Sequence, residues 1–272
     1  MTKQTLMAVG AHADDIEFNV GATLAKYHRA GYEIVYVMST NNMSGGWTTL
    51  DANGKRQSRR PPWHEIMPQR KRETDVAAAF FGTKPVHLDH PQRHYTKDNG
   101  DVQRLVFGSE KPDSLTPNCP TILTAYEDAD CVQRLVDLIL EKQPEAILSH
   151  SMETGNIEHV GSCFLVCAAY QKARAAGYEG MLLFWHDITP PPVTASRRSW
   201  DTFVNVTGYW AAKLDALALH ACQIVDARAL DLPAFGPACG CEDAEVYVIA
   251  DRGLPPQHGV SPFSLEVFGN AR

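Results

Sequence analysis

Three residues that can bind a cation or move a proton lie close together near the start of the chain: His12, Asp14 and Asp15, in the stretch VGAHADDIEF. They follow an apolar run that predicts a strand, and they precede a pattern that predicts a helix. In open α/β proteins this junction holds phosphate-binding glycines or catalytic groups. A dinucleotide site would need more glycines here, and carboxylates would repel a pyrophosphate. An imidazole and a carboxylate suit a divalent cation instead, as in hydrolytic zinc sites.

A catalytic zinc site needs a third protein ligand, and the segment AILSHSMETGNIEHVGS offers two candidates, His150 and His159. His150 follows a predicted strand at 146–149, and His159 begins the next predicted helix. The first and fourth strands of such folds commonly lie side by side, so either imidazole could face His12 and Asp15. From the residues alone both remain possible, and so does an ordinary role for each as a buried or surface histidine.

Short apolar runs alternate with helical patterns along the chain, which predicts βαβ units around a mostly parallel sheet. The fold class is therefore α/β: a three-layer, Rossmann-like fold in a single domain that spans 1–272. Two long segments, 40–67 and 90–126, follow strand ends and are predicted to be loops that face the substrate. The predicted strands are 6–11, 33–38, 85–88, 146–149, 181–185, 202–206 and 246–250. The predicted helices are 20–30, 69–81, 128–142, 158–176 and 209–221.

Composition limits the classes of partner. The chain has 272 residues, 44% of them hydrophobic, and a net charge of −7, which argues against nucleic acid or an anionic membrane as the main partner. No apolar run is long enough for a membrane span, and no secretory signal is apparent, so a cytoplasmic protein is expected. The seven cysteines are scattered and are expected to be reduced. A small-molecule substrate is favoured, and a homo-oligomer is possible.

The opening AHADDIEF…GATLA resembles the AHPDD-x-E…GGTL opening of the PIG-L/LmbE-like deacetylases. That family removes N-acetyl groups from GlcNAc-phosphatidylinositol and from the GlcNAc-containing precursors of mycothiol and bacillithiol. Further segments resemble family motifs in the same order along nearly the whole chain: RKRETDVAAAFFG, VHLDHP, NIEH, KLDALALHACQ and AEVYVI.

The resemblance implies a role for each matching residue. The zinc ligands fall on His12, Asp15 and His159, although another divalent metal is possible, and the general base falls on Asp14. Arg70 matches an arginine that contacts substrate, and Gln92 and Arg93 are expected to contact it as well. Ala13 replaces the usual proline, and Gln92 stands where many members have an aspartate. Asn156 replaces a histidine that stabilises the transition state or protonates the leaving amine; its amide can donate a hydrogen bond but cannot shuttle a proton.

These assignments predict a zinc-dependent hydrolase that removes an N-acetyl or related N-acyl group, such as that of N-acetylglucosamine, from an amino sugar or sugar conjugate. One alternative is a zinc amidase that acts on a non-sugar, thiol or antibiotic conjugate. The other is a non-catalytic binding protein of the same fold, which the change at Asn156 favours. Retention of a base, Asp14, beside the predicted ligands argues for the enzyme.

Overall fold

The computed structural model describes residues 4–104, 120–187, 200–233, 235–251 and a short strand at 266–267. Its strands are β1 Thr5–Gly10, β2 Glu33–Thr40, β3 Trp47–Leu50, β4 Arg56–Arg59, β5 Val86–His90, β6 His94–Thr96, β7 Val102–Arg104, β8 Ala146–Ser149, β9 Met181–Trp185, β10 Thr202–Asn205, β11 Ala244–Asp251 and β12 Glu266–Val267. Its α-helices are α1 Asp15–Arg29, α2 Trp63–Phe80, α3 Ala129–Lys142, α4 Ile157–Ala175 and α5 Trp210–Leu217. Within these described segments, no helix combines the length and apolar character that a bilayer crossing requires.

Eight strands form the central sheet, in the order β12-β10-β11-β9-β8-β1-β2-β5. The five strands from β9 to β5 are parallel, whereas β11, β10 and β12 add an antiparallel edge. This arrangement confirms the predicted α/β, Rossmann-like fold. The predicted neighbours β1 and β8 do pair, with Val9 opposite Ser149. The carboxyl ends of these two strands therefore open onto the same edge of the sheet.

Strand β1 is apolar throughout because it is buried on both faces. Leu6 and Ala8 join a core beneath α1 and α5, whereas Met7 and Val9 join a second core beneath α3 and α4. Helices thus cover both faces of the sheet, which gives the three predicted layers. Because β1 is paired on both sides, with β2 and β8, the sheet fixes the position of the turn that follows Gly10.

Several element boundaries differ from the predicted ones. Helix α1 begins at Asp15 rather than at 20, because acidic residues suit the first turn of a helix and do not exclude it. Helix α2 begins at Trp63 rather than at 69, and it contains Pro68 within its second turn. The predicted 209–221 helix is shorter, at Trp210–Leu217, and the last predicted strand is longer, at Ala244–Asp251.

The two predicted loops contain regular structure. The 40–67 segment holds the hairpin of β3 and β4, with Trp47 opposite Arg59. The 90–126 segment holds the hairpin of β6 and β7, with His94 opposite Arg104, and residues 105–119 of it lie outside the described residues. Charged and small residues in both hairpins hid the period-two alternation that normally indicates a strand.

A buried ion pair joins strand β11 to helix α5. The Lys213 ammonium donates to Glu245 Oε1 at 2.7 Å, and both side chains are buried. Glu245 also accepts bonds from the backbone N–H groups of Ala22 and Thr23 in α1. This ion pair gives a structural role to Lys213 of the segment KLDALALHACQ and to Glu245 of AEVYVI.

Lys213→Met is expected to lower the free energy of unfolding by about 3 kcal/mol, because it leaves the Glu245 carboxylate buried without its cation. The double variant Lys213→Met/Glu245→Gln should lose less than Lys213→Met alone. Urea denaturation followed by circular dichroism measures both. Equal losses in the single and double variants would contradict a coupled pair.

Candidate metal centre and active site

The turn between β1 and α1 is held by its own residues. The Asp15 carboxylate accepts the His12 backbone N–H at 2.7 Å, and the Asp15 N–H returns a bond to the His12 carbonyl. Between them, Asp14 has φ 95°, a left-handed conformation that aspartate and asparagine tolerate better than most residues. Asp14 occupies the N-cap position of α1, yet its side chain makes no capping bond. The two neighbouring carboxylates consequently point in different directions.

Ala13, where the family has proline, is fixed from both sides. Its backbone N–H donates to Asn42 Oδ1 at 2.8 Å, a bond that proline could not make. Its carbonyl accepts from Arg70 Nη2 at 2.5 Å. Asn42 is fully buried and Arg70 nearly so. These two bonds replace the stiffness that the proline ring would supply.

Three donor groups converge at the end of β1. His12 Nδ1 lies 3.2 Å from His159 Nε2 and 3.2 Å from Asp15 Oδ2, and His159 Nε2 lies 3.4 Å from Asp15 Oδ1. All three side chains are buried. Ligand atoms that surround zinc tetrahedrally at about 2.0–2.1 Å lie about 3.3 Å apart. The spacing of this cluster therefore fits a divalent cation.

In both imidazoles of the cluster, the ring nitrogen that faces away from it is bonded to a further carboxylate. His12 Nε2 lies 2.7 Å from Glu158 Oε2, and His159 Nδ1 lies 2.6 Å from Asp187 Oδ2. If each far nitrogen donates its proton to the carboxylate, the near nitrogens present lone pairs to one another and to Asp15. Three electron pairs then face one point, an arrangement that a divalent cation would satisfy. Carboxylates behind metal-binding histidines commonly fix the ring in this way.

Opposite charges control the protonation of the cluster. Burial alone would lower the pKa of His159, but the carboxylates of Asp15 and Asp187 raise it to about 10. Burial also acts to lower the pKa of His12, but the carboxylates of Asp15 and Glu158 outweigh burial and raise it. Despite burial, His12 and the Arg93 N–H lower the pKa of Glu158 to about 2. The carboxylates are thus ionised at neutral pH, and the cluster attracts positive charge.

Asp14 titrates differently from its neighbour Asp15. Burial raises the pKa of Asp14 to about 6, although the charge of Arg70 opposes the shift, and Asp15 adds to it. Burial also acts against ionisation of Asp15, but the nearby His159, His12 and His150 hold the pKa of its carboxyl well below the usual value. A carboxyl with a pKa nearer neutrality is better matched to proton transfer, whereas an ionised one is better suited to bind a cation.

His150 lies behind the cluster rather than in it. Its Nε2 accepts the Ala11 backbone N–H at 3.1 Å, so that lone pair is already used, although Asp15 Oδ2 is only 3.2 Å away. Its Nδ1 lies 2.9 Å from Asp187 Oδ2, and its ring stacks on that of His159 with centroids 4.0 Å apart. His150, His159 and Asp187 also form a set that could hold a metal, but this set shares His159 with the first. We interpret His150 as a support for Asp187 and His159.

Asn156 caps helix α4. Its Oδ1 accepts the backbone N–H of Glu158 at 3.0 Å, as N-cap asparagines commonly do. Its side chain is half-buried, and the amide Nδ2 makes no bond to another described residue in the part of the chain that the structure covers. The carbonyl half of the amide is therefore structural, and the amino half remains available to donate.

Gln92 and Arg93 differ in position. Gln92 is buried, with Oε1 accepting from the Ser44 N–H at 2.7 Å and Nε2 donating to Glu158 Oε2 at 3.0 Å. It positions Glu158 and exposes no group to a ligand. Arg93 uses its backbone N–H to bond Glu158 Oε1 at 2.6 Å, and its side chain is exposed. Of the two residues expected to contact substrate, only Arg93 has a side chain placed to do so.

Arg70 is placed to control Asp14. It is buried, donates from Nη1 to the Ser44 carbonyl at 3.0 Å and from Nη2 to the Ala13 carbonyl, and lies 3.7 Å from Asp14 Oδ1. These bonds engage both terminal nitrogens of the guanidinium, whereas its buried Nε has no hydrogen-bond partner among the described residues. A direct grip on substrate, as expected from the resemblance, receives no support from this placement.

Arg70→Met is expected to lower kcat by more than tenfold and to change KM less, because it removes the charge and the two bonds that hold the Ala13–Asp14 turn. Arg72→Met, on the exposed face of the same helix, is the matched control and should leave both constants near wild type. Steady-state kinetics of the two variants decide the matter. A large rise in KM with an unchanged kcat would restore the substrate-binding role.

Sequence reasoning missed three supporting residues: Glu158, Asp187 and Asn42. Glu158 lies inside the quoted NIEH motif, directly before the predicted ligand His159, and that position was a usable signal. Asp187 lies two residues after β9, and Asn42 lies two residues after β2. Both follow carboxyl ends of parallel strands, the edge where functional groups gather, but no motif marks them.

Comparison with known proteins gives one family and several similar folds. The model of the PIG-L family, described as GlcNAc-PI de-N-acetylase, matches residues 7–170. GalB, the 4-carboxy-2-hydroxymuconate hydratase of Pseudomonas putida KT2440, is 19% identical, with a TM-score of 0.64 over 92% of this chain and 98% of its own. The N,N'-diacetylchitobiose deacetylase of Pyrococcus horikoshii is 17% identical, with a TM-score of 0.58 over 97% of this chain and 88% of its own. A deacetylase of teicoplanin biosynthesis, in complex with teicoplanin, is 14% identical, with a TM-score of 0.60 over 91% of this chain and 100% of its own.

Proposed function

Because the chain belongs to the PIG-L family, we propose that it is a metal-dependent hydrolase that removes an N-acetyl or related N-acyl group from an amino sugar or glycoconjugate. The observation that carries the proposal is the buried cluster of His12, Asp15 and His159 with Asp14 beside it. Its nitrogen and oxygen donors fit zinc, or another divalent cation, with a coordination position left for a reactant. The proposal treats 1–272 as one deacetylase-like domain.

Each residue near the cluster would have a separate task. When bound, a divalent cation acts as a Lewis acid that activates water and stabilises negative charge on the carbonyl oxygen. Asp14 would accept a proton from the attacking water, and Arg70 would hold the turn that aims Asp14. The Asn156 amide would donate a hydrogen bond to the oxyanion of the tetrahedral intermediate.

The leaving amine also needs a proton, and Asn156 cannot supply one. Asp14, which holds the proton taken from water, is the simplest donor. The carbon–nitrogen bond then breaks, the amine leaves with that proton, and acetate is released. Asp14 returns to its ionised form, so the cycle closes without a second acid.

The substrate class is supported by the neighbouring proteins. Two of them are deacetylases, one named for N,N'-diacetylchitobiose and the other for the biosynthesis of teicoplanin. The net charge of −7 favours a small-molecule partner over a nucleic acid.

Release of acetate from a panel of N-acetylated sugars and glycoconjugates by the zinc-loaded protein tests the proposal. At least one member of the panel should give acetate and free amine in equal amounts. The same assay with His12→Ala provides the control for a contaminating enzyme. A well-folded, metal-loaded protein that releases acetate from no member of a broad panel would favour the binding-protein alternative.

A second candidate function is the hydration of an unsaturated carboxylate. The specific observation that favours it is a cavity next to the cluster that is lined by three arginines, together with the fold similarity to the hydratase GalB. Hydration adds water across a carbon–carbon double bond and no group leaves, so a proton shuttle to an amine is unnecessary. Loss of ultraviolet absorbance from a conjugated dienoate, without release of acetate from any amide, would select this function.

A further inference from the structure

A cavity of about 260 Å³ lies between the two hairpins and is lined by Arg60, Arg93, His94, Val102 and Arg104. Arg60 directly follows β4, whereas His94 and Arg104 face each other across the pair of β6 and β7. Residues directly opposite in an antiparallel pair project from the same face of the sheet. Two separate insertions in the fold thus deliver guanidinium groups to one space.

The arginines of this cavity are not paired directly with carboxylates of the described residues. Arg59 pairs with Glu65 and Arg228 pairs with Asp215, but none of the three cavity arginines forms an ion pair with a described carboxylate. Burial lowers the pKa of His94, and the charges of the three arginines lower it further, against the opposing charge of Glu158. Arginine stays protonated at any physiological pH, so this space attracts anions permanently.

The cavity is connected to the metal cluster by short bonds. The Arg93 backbone N–H donates to Glu158 Oε1 at 2.6 Å, and Glu158 Oε2 lies 2.7 Å from His12 Nε2. On the other side, His94 Nε2 lies 2.9 Å from Ser44 Oγ, in the segment whose carbonyl binds Arg70. One wall of the cavity is therefore built by residues that also support the ligand His12 and the arginine beside Asp14.

We propose that the cavity is an anion subsite, and that the substrate carries a carboxylate or phosphate group that Arg60, Arg93 and Arg104 bind while its reacting group lies at the metal cluster. The proposal rests on the proposed function for the reacting group and adds the charge of the substrate. Guanidinium groups bind both oxyanions through paired N–H donors. A neutral sugar in this space would leave three like charges unpaired.

Equilibrium binding tests the subsite without turnover. Isothermal titration calorimetry with inorganic phosphate and with tricarballylate, a saturated tricarboxylate, is carried out on the zinc-loaded protein and on chelator-treated protein. Binding of at least one anion should persist after chelation and should weaken several-fold at high ionic strength. The tighter of the two anions then identifies the chemistry of the group, and either result supports the subsite.

Substitutions locate the binding. Arg93→Gln and Arg104→Gln should each weaken anion binding by about tenfold, whereas Arg29→Gln, an exposed arginine on α1, is the matched control and should bind as wild type. Binding that disappears with the metal, or that is equal in all three variants, would overturn the proposal. Absence of measurable binding by either anion would do the same.

Turnover separates failure of the subsite from failure of the proposed function. N-acetylglucosamine is compared with its 6-phosphate, and the lactyl carboxylate of N-acetylmuramic acid supplies the second anion. At least one anionic sugar should be hydrolysed with a tenfold or greater advantage in kcat/KM, which Arg104→Gln removes and Arg29→Gln retains. Equal hydrolysis of neutral and anionic sugars would refute the subsite alone. Anion binding without hydrolysis of any amide would refute the proposed reaction alone.

Discussion

Asp14→Asn is expected to lower kcat by roughly 10²- to 10⁴-fold while the protein keeps about one metal ion per chain. Asparagine has the same shape and tolerates the left-handed φ of 95° at this position, so the turn should survive. Only the ability to accept a proton is lost. Acetate release gives kcat, and inductively coupled plasma mass spectrometry gives the metal content of the same sample.

If Asp14 acted only as the N-cap of α1, a different result would be expected. Asparagine caps helices as well as aspartate does, so a pure cap would leave turnover unchanged. The structure weakens that alternative, because the Asp14 side chain makes no capping bond and instead approaches Arg70. Near-wild-type turnover of Asp14→Asn would nevertheless remove the general base from the mechanism.

Asp15→Asn is the matched control for the neighbouring position. Its carboxylate oxygens lie 3.2 Å from His12 Nδ1 and 3.4 Å from His159 Nε2, and asparagine would replace one of them with a donor group. We expect metal to be lost and activity to return partly when excess zinc is supplied. Asp14→Asn should show no such recovery, so zinc dependence of the residual activity distinguishes a ligand from a base.

The sequence predicted where the site lies in the fold better than it predicted which residues form it. The buried strand β1, its pairing with β8 and the location of His12, Asp14 and Asp15 at a strand end all follow from apolar runs and the α/β pattern. The choice between His150 and His159 does not follow, because both imidazoles lie within 3.4 Å of Asp15. The hydrogen bonds of the two rings, from the Ala11 N–H to His150 and between His159 and Asp187, favour His159, which stays a prediction.

Two other features depended on long-range contacts that no local pattern records. Glu158 bonds His12 across 146 positions of the chain, and His94 faces Arg104 only because a hairpin register places them together. Arg70 could be assigned to a site from its motif, but its burial and its bonds to the Ser44 and Ala13 carbonyls became visible only in the folded chain. The residue types at the site could thus be predicted from the sequence, whereas their hydrogen-bond partners could be identified only in the folded structure.

Loss of His159, the third proposed ligand, is expected to have the second large effect. His159→Ala should weaken zinc binding by more than about 100-fold, because it removes one of three protein donors together with the ring that Asp187 orients. Glu158→Gln, which alters only the partner of His12 Nε2, should weaken binding by about 10- to 100-fold. Competition with a fluorescent zinc chelator measures both dissociation constants.

His150→Ala separates the two interpretations of the adjacent histidines. The Nε2 of His150 accepts the Ala11 N–H, so removal of the His150 ring should weaken zinc binding by less than tenfold. Part of that loss would arise because Asp187 is then held less firmly. Circular dichroism must first show that each variant is folded, because both side chains are buried. If His150→Ala empties the site and His159→Ala does not, the metal is held by a different set of nitrogen atoms. The general base would then have to be sought near His150, because the attacking water would be deprotonated beside the metal at that position.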